Sequence, residues 1–210
     1  MRRSTVATAL GFIFTAAAPL YASTWEIDPA HTSVQFAVRH LMVSTVRGTF
    51  NKVSGTVTAD DSDPTKSSVE ATLDTASIDT RESKRDTHLK SQDFLDAAKF
   101  PTITFKSKKI TKVADTQFAV TGDLTLHGVT KEVVLDVEGS PHEFKDPFGN
   151  TRLGGSAHTK IRRQDFGITW NKALDGGGVL VGDDIDVTID IELIKKAATA
   201  GAAEASGNNS

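Results

Sequence analysis

The chain has 210 residues, with 24 Lys plus Arg against 27 Asp plus Glu, 38% hydrophobic residues and no cysteine. A formal net charge of −3 offers no strong positive field, so binding to nucleic acid is not expected. The lack of cysteine excludes disulfides, thiolate metal sites and cysteine nucleophiles. Length and composition therefore predict one soluble globular unit.

Both ends of the chain are predicted to lie outside that unit. Arg2 and Arg3 precede the apolar run 6–18, and the segment closes on the small residue Ala22, as in a secretory signal peptide. The run is too short to span a bilayer, and no later apolar segment is long enough, so no membrane span is predicted. We assign 1–22 to a cleaved signal peptide for export to the periplasm, 23–196 to one domain, and the small, polar segment 197–210 to a disordered tail.

Alternation of apolar and polar residues is the main signal within the domain. It is clearest in 185–193, where Ile, Val and Leu alternate with Asp, Thr and Glu. The pattern recurs in 34–38, 53–57, 69–73, 103–105, 118–126, 133–137 and the glycine-rich 153–161. Eight strands with one apolar and one polar face predict an antiparallel sheet, because parallel strands covered on both faces are continuously apolar.

One long connection interrupts this pattern. The segment 79–99 is rich in charged residues, and its large apolar residues are Leu89, Phe94 and Leu95, so we expect one or two short helices there. An eight-stranded sheet with one dry face must curl on itself or split into a sandwich. We predict an all-β, eight-stranded antiparallel barrel, whose interior at this strand number has room for one elongated small ligand.

The motifs of common catalytic and metal sites are absent from the sequence. It contains no Gly-x-Ser-x-Gly elbow, no His-Glu-x-x-His pair and no phosphate-cradling glycine loop. His31 follows Asp28 at the start of a strand, which favours a hydrogen-bonded structural histidine over a metal ligand. The acidic turn 60–63 resembles half of a calcium loop, but Pro64 follows and the glutamate ligand is missing. No catalytic residue, metal or cofactor is therefore predicted.

Four blocks of the sequence resemble the YceI-like family. They are 25–42 with 46–50, 85–96 running on to 100–105, 122–130, and 165–171 with Gly182-Asp183. The resemblance covers about 25–193 with every block in order. It implies a lipocalin-like extended barrel, exported in bacteria, that binds a polyisoprenoid or a similar long-chain lipid and is not an enzyme.

The predicted binding site follows from this implied function and from the apolar faces. The residues predicted for the tunnel wall are Phe36, Val38, Phe50, Leu89, Phe94, Phe105, Phe118, Leu124, Phe166, Trp170 and Ile189. A polar head group needs satisfied contacts at the tunnel mouth. The candidates for those contacts are Arg47, His88, Lys90, Asp93, Arg162 and Arg163. The predicted partner is an isoprenoid or other long-chain lipid, and the sequence is compatible with a homodimer.

Two other functions remain open at this point. The first is a barrel enzyme acting on a lipid, with His31, His40 or His88 as general base. The second is a dry barrel that acts through protein–protein contacts in the cell envelope. Alternation predicts which face of a strand is apolar, but an empty tunnel and a packed core have the same alternation.

Overall fold

The computed structural model of the chain describes residues 22–140 and 142–197. The predicted signal peptide lies outside the described residues except for Ala22, and the predicted tail lies outside them except for Ala197. The described strands are β1 (Ala22–Ile27), β2 (Ser33–His40), β3 (Ser44–Phe50), β4 (Val53–Asp60), β5 (Ser68–Asp74), β6 (Ile78–Asp79), β7 (Thr102–Lys112), β8 (Gln117–Leu126), β9 (Val129–Gly139), β10 (Phe144–Lys145), β11 (Thr151–Arg162) and β12 (Val181–Lys195).

The strands form a closed antiparallel barrel. Its ring runs β12, β1, β4, β5, β7, β8, β9 and β11, and β11 pairs again with β12. β11 and β12 pair along nearly the whole of β11, from the pair of Arg152 with Ile194 to the pair of Arg162 with Asp184. The other closing contact joins β1 to β12, with Trp25 opposite Lys195. The prediction of an eight-stranded antiparallel barrel is therefore confirmed.

At two positions around the barrel, two separate strand segments take the place of one continuous strand. β1 and β2 both pair with the same edge of β12, and β4 and β3 pair with β1 and β2 in turn. The break between β1 and β2 falls at 28–32, where Pro29 lacks an N–H and the Asp28 carboxylate accepts a bond from the Ala30 N–H. Neither β1 nor β3 was among the predicted strands, because Ser, Thr and Gly dilute their alternation.

The single described α-helix lies in the long connection before β7. α1 (Ser83–Lys90) begins where the Glu82 carboxylate accepts bonds from the Lys84 and Arg85 N–H groups, and it ends at Ser91. One short helix in 79–99 agrees with the prediction. Behind it, Phe94 and Leu95 are buried against the end of the barrel.

No helix in the described part of the chain combines the length and the apolar content needed to cross a bilayer.

Candidate functional site

The barrel encloses a cavity of about 540 Å³. Its wall is formed by the apolar faces of the strands, which alternation places toward the interior. β12 contributes Ile185, Val187, Ile189, Ile191 and Leu193, so the face predicted from its sequence is the one that faces the cavity. The sequence left open whether the interior was packed or empty, and the structure has an open interior.

Nine of the eleven predicted wall residues line this cavity: Phe36, Val38, Phe50, Leu89, Phe94, Phe105, Phe118, Leu124 and Ile189. Phe166 and Trp170 do not. Phe166 is only 2% exposed and belongs to the core beside the cavity, and Trp170 packs against His88 and Phe94. After β11, Phe166 lies in a 3₁₀ turn and Trp170 in the extended segment that follows it. Strand alternation no longer predicts there which way a side chain points.

Two glycines give aromatic rings a place against the wall. A Cβ on Gly48 would lie 2.5 Å from Cζ of Phe36, and a Cβ on Gly122 would lie 2.5 Å from Cζ of Phe105. Each ring therefore occupies the space above a glycine on the neighbouring strand, where any larger residue would displace it. This arrangement lets large side chains cover the wall while the centre of the barrel stays open.

One end of the barrel is filled, and we call it the closed end. Its core comprises Ile78, Phe94, Leu95, Ile103, Leu126, Ile161, Phe166 and Ile168, each less than 10% exposed. Seven of these residues, all but Phe166, also line the cavity, so its floor at this end is buried protein. The segment that follows α1 and the turn that follows β11 supply the filling.

Arg163 fixes the closed end through its guanidinium. Its N–H groups donate to the carbonyl oxygens of Ile168, Trp170, Val181 and Gly182 and to the Asp183 carboxylate. Burial lowers the pKa of this arginine, and the Asp183 charge opposes that effect. Arg163 was predicted to bind a head group and does line the cavity, but these bonds occupy its donors with protein acceptors.

The opposite end, which we call the open end, is where β4 turns into β5 and where β9 passes to β11. Here the cavity is lined by Asp60, Ser67 and Ser140, and Pro64 is both a lining residue and exposed. Polar residues therefore border the cavity where it meets solvent.

The other five predicted head-group residues do not line the cavity. Arg47 and Arg162 are exposed. The His88 Nε2 lies 2.7 Å from Asp93 Oδ2 at the outside of the closed end, and the His88 ring packs edge-on against Trp170. Lys90, at the end of α1, is half-buried. The structure therefore does not bring these five residues together around a ligand.

An ion-pair network on the outer face near the open end was not predicted. The Arg152 guanidinium bonds Asp28 and Asp146, each at 2.7 Å, and also contacts Glu192. Arg152 and His31 hold the pKa of Asp28 down at about 2, while Asn150 and Arg152 hold the pKa of Asp146 well below its usual range. Asp28 and Arg152 are 124 positions apart in the sequence, and no local motif links them.

The same network bears on metal binding and on catalysis. Ligand atoms of Asp28, His31 and Glu192 lie within 4.8 Å of one another, but both carboxylates already bond the Arg152 guanidinium. His31 Nδ1 lies 2.8 Å from Asp28 Oδ2 before β2, as the structural interpretation predicted. None of His31, His40 and His88 contributes to the cavity wall.

Taken together, these features define a closed antiparallel barrel with one apolar internal cavity. The model of the YceI-like domain matches residues 25–193, and the chain belongs to this family. Protein YceI of Shigella sonnei is 38% identical over 170 residues, which cover 80% of this chain and 88% of that protein.

Solved structures share the barrel. That of a Campylobacter jejuni YCEI protein matches with a TM-score of 0.64 at 29% identity, over 94% of this chain and 100% of that one. A polyisoprenoid binding domain from Saccharophagus degradans, implicated in plant cell wall breakdown, matches with a TM-score of 0.59 at 14% identity, over 82% and 98% of the two chains. The second likeness shows a common fold.

Proposed function

We propose that this protein is an exported carrier that holds a polyisoprenoid or similar long-chain amphiphile in the barrel cavity. The observation that carries the proposal is a cavity of about 540 Å³ whose wall is apolar along every strand of the ring. Such a wall buries a hydrocarbon chain favourably and gives a polar substrate few hydrogen-bond partners. The polyisoprenoid binding domain of the same fold supports this choice of ligand.

The size of the cavity suits a single hydrocarbon chain. A cavity of about 540 Å³ divided by roughly 30 Å³ per small heavy-atom group, the volume share of one water, holds about 18 such groups. Three to four isoprene units, about 15 to 20 carbons, fill it. A longer chain extends through the open end.

Burial of the chain supplies the affinity. About 15 buried methylene groups, the lower end of the chain length that fills the cavity, contribute on the order of 12 kcal/mol before costs. Association and chain ordering take back at least about 4 kcal/mol. The remainder gives useful binding without any catalytic or strongly polar group, which agrees with a wall that none of the three candidate histidines reaches.

We place the head group at the open end, where Ser67 and Ser140 offer hydroxyl groups beside the cavity. The acidic turn 60–63 stands at the same end and repels an anion. A prenyl alcohol is therefore expected to bind more tightly than the matching prenyl phosphate. Equal or reversed affinity for the two compounds would put the head group elsewhere.

The main experiment measures co-purifying lipid by native mass spectrometry and organic extraction. Val133 lines the cavity and Val134, the next residue of β9, is 47% exposed on the outer face. V133D and F105D are expected to abolish lipid occupancy while circular dichroism still shows a folded barrel. V134D is the matched control and should keep its lipid.

Two results would overturn the carrier proposal. One is a clean wild-type apoprotein that also fails to take up prenyl lipids. The other is lipid occupancy in V133D and F105D equal to that of V134D. The enzyme alternative requires that H31A, H40A or H88A loses turnover of a lipid substrate and still binds lipid. The dry-barrel alternative requires a protein partner and no bound lipid.

Export is a separate part of the proposal. The described β1 begins at Ala22, so cleavage after Ala22 leaves the rest of β1 in the mature chain. Cell fractionation and sequencing of the mature amino terminus test this. Recovery of the intact 210-residue chain from the cytoplasm would contradict it.

A further inference from the structure

A short hairpin at the open end exposes two large aromatic side chains. β10 pairs with the start of β11, and we call the segment 144–151 the rim hairpin. Phe144 is 61% exposed and Phe148 is 89% exposed. The hairpin is inserted between Ser140 and Gly154, which both line the cavity and are joined by a 2.7 Å bond from the Ser140 N–H to the Gly154 carbonyl oxygen. It therefore stands directly on the rim of the cavity.

The rim hairpin is held in one shape. The Asp146 carboxylate accepts bonds from the Phe148 and Asn150 N–H groups, from the Asn150 side-chain amide and from Arg152 Nε. Arg152 in turn bonds Asp28 on the outside of the barrel. The exposure of Phe148 thus arises in a well-bonded turn anchored to the barrel.

A third apolar side chain lies on the same rim. The turn from β7 to β8 reaches the base of the hairpin, because the Gly139 N–H donates to the Thr116 carbonyl oxygen at 2.8 Å. Val113 in this turn is 67% exposed. Burying any of these groups against a partner would be favourable.

The size and charge of this patch favour a lipid bilayer as the partner. Two phenylalanines and a valine bury roughly 400 Å² at most, about half of the ~800 Å² per partner that a stable protein interface needs. A bilayer requires no complementary shape. In the hairpin and its flanks, Lys145 and Arg152 face Glu143 and Asp146, so insertion does not require anionic lipid. The acidic turn 60–63 at the same end disfavours a strongly anionic surface.

We infer that the rim hairpin docks this protein on a lipid bilayer by inserting Phe144 and Phe148 among the head groups and upper acyl chains. The inference rests on the proposed carrier function. Docking through the rim places the open end of the cavity against the lipid, so a prenyl chain passes between bilayer and barrel without crossing water.

Vesicle flotation tests the inference with phosphatidylcholine vesicles and with vesicles of phosphatidylcholine and phosphatidylglycerol. The double variant F144S/F148S is expected to bind both about tenfold or more weakly than the wild type. The control is V43S, because Val43 is 77% exposed at the opposite end of the barrel. V43S should float like the wild type, and added salt should change wild-type binding to the phosphatidylcholine vesicles little.

A second measurement separates this inference from the carrier proposal. Uptake of geraniol from buffer reports on the cavity alone, and uptake of a prenyl lipid from vesicles needs docking as well. F144S/F148S should keep the first and lose most of the second. If neither the wild type nor F144S/F148S takes up geraniol but flotation still depends on the hairpin, the carrier proposal fails and the docking inference stands.

Two results would overturn the docking inference. The first is equal flotation of the wild type and F144S/F148S. The second is a dimer in sedimentation velocity that the double variant loses while neither protein floats, which would assign the patch to a second copy of the chain.

Discussion

The two ends of the barrel differ in what their residues do. At the closed end, Phe166 and its neighbours are almost completely buried, and Arg163 ties the chain segments together through backbone carbonyl oxygens. At the open end, the cavity meets solvent beside polar residues, and the ion pairs of Arg152 lie on the outer face. The difference indicates that buried side chains seal one end of the barrel and that access to the cavity lies at the other.

The sharpest test of this division is Arg163→Met. The change removes a buried guanidinium and leaves the carbonyl oxygens of Ile168, Trp170 and Gly182 without their donor, so the free energy of unfolding should fall by on the order of 4–5 kcal/mol. Urea denaturation measures the loss. R162M is the matched control on an exposed neighbour, and an equal loss in both variants would contradict the assigned role.

Phe166→Ala should separate stability from binding. The ring is buried and does not line the cavity, so the variant should lose about 4 kcal/mol of stability and keep its prenyl-lipid affinity. Phe105→Ala, on the cavity wall, should lose less stability and more affinity. Calorimetric titration with a prenyl alcohol compares the two variants. A larger loss of affinity in F166A than in F105A would contradict the assigned difference between the two ends.

Arg152→Ala tests the open end. It leaves Asp28 with His31 as its remaining side-chain partner, and we expect a measurable loss of stability at neutral pH. The exposed pair of Lys106 with Glu70 is the control, since K106A should change stability little. A loss in R152A no greater than in K106A would show that the network adds nothing to stability.

The pH dependence of that loss follows from the pKa of Asp28, which falls from 3.8 to about 2 on folding. A lowered carboxylate pKa stabilises the folded state above the unfolded value, and the contribution disappears as the pH falls from about 4 toward 2. The wild type should therefore lose stability across this window more steeply than R152A. Parallel curves for the two proteins would contradict this prediction.

The smallest expected effect concerns the cavity itself. Gly48→Ala places a methyl group against the ring of Phe36 and the methyl group of Thr80. The change should lower the free energy of unfolding by about 1–2 kcal/mol and push Phe36 into the cavity. Affinity for the longest prenyl chains should then fall first. Gly176 has open space around it, so G176A is the control. Unchanged chain-length selectivity in G48A would show that Phe36 moves elsewhere.

Much of the barrel was predictable because alternation is a local property. The faces of β8 and β12 follow directly from their residues, and so does the position of Phe105 on the wall. Phe166 and Trp170 could not be placed, because they lie beyond the end of β11, where no periodicity applies. The bond between Arg152 and Asp28 depends on how the sheet closes, which no short segment of the sequence records.

The closing pair of the barrel has a consequence for synthesis of the protein. β1 and β12 lie at opposite ends of the sequence, and Trp25 meets Lys195 only after nearly the whole domain has been made. Contacts this far apart along a chain form slowly, and a chain that stops before β12 leaves β1 and β11 as bare edges. Such a fragment has no enclosed interior, so uptake of a ligand would itself report that the whole domain is present.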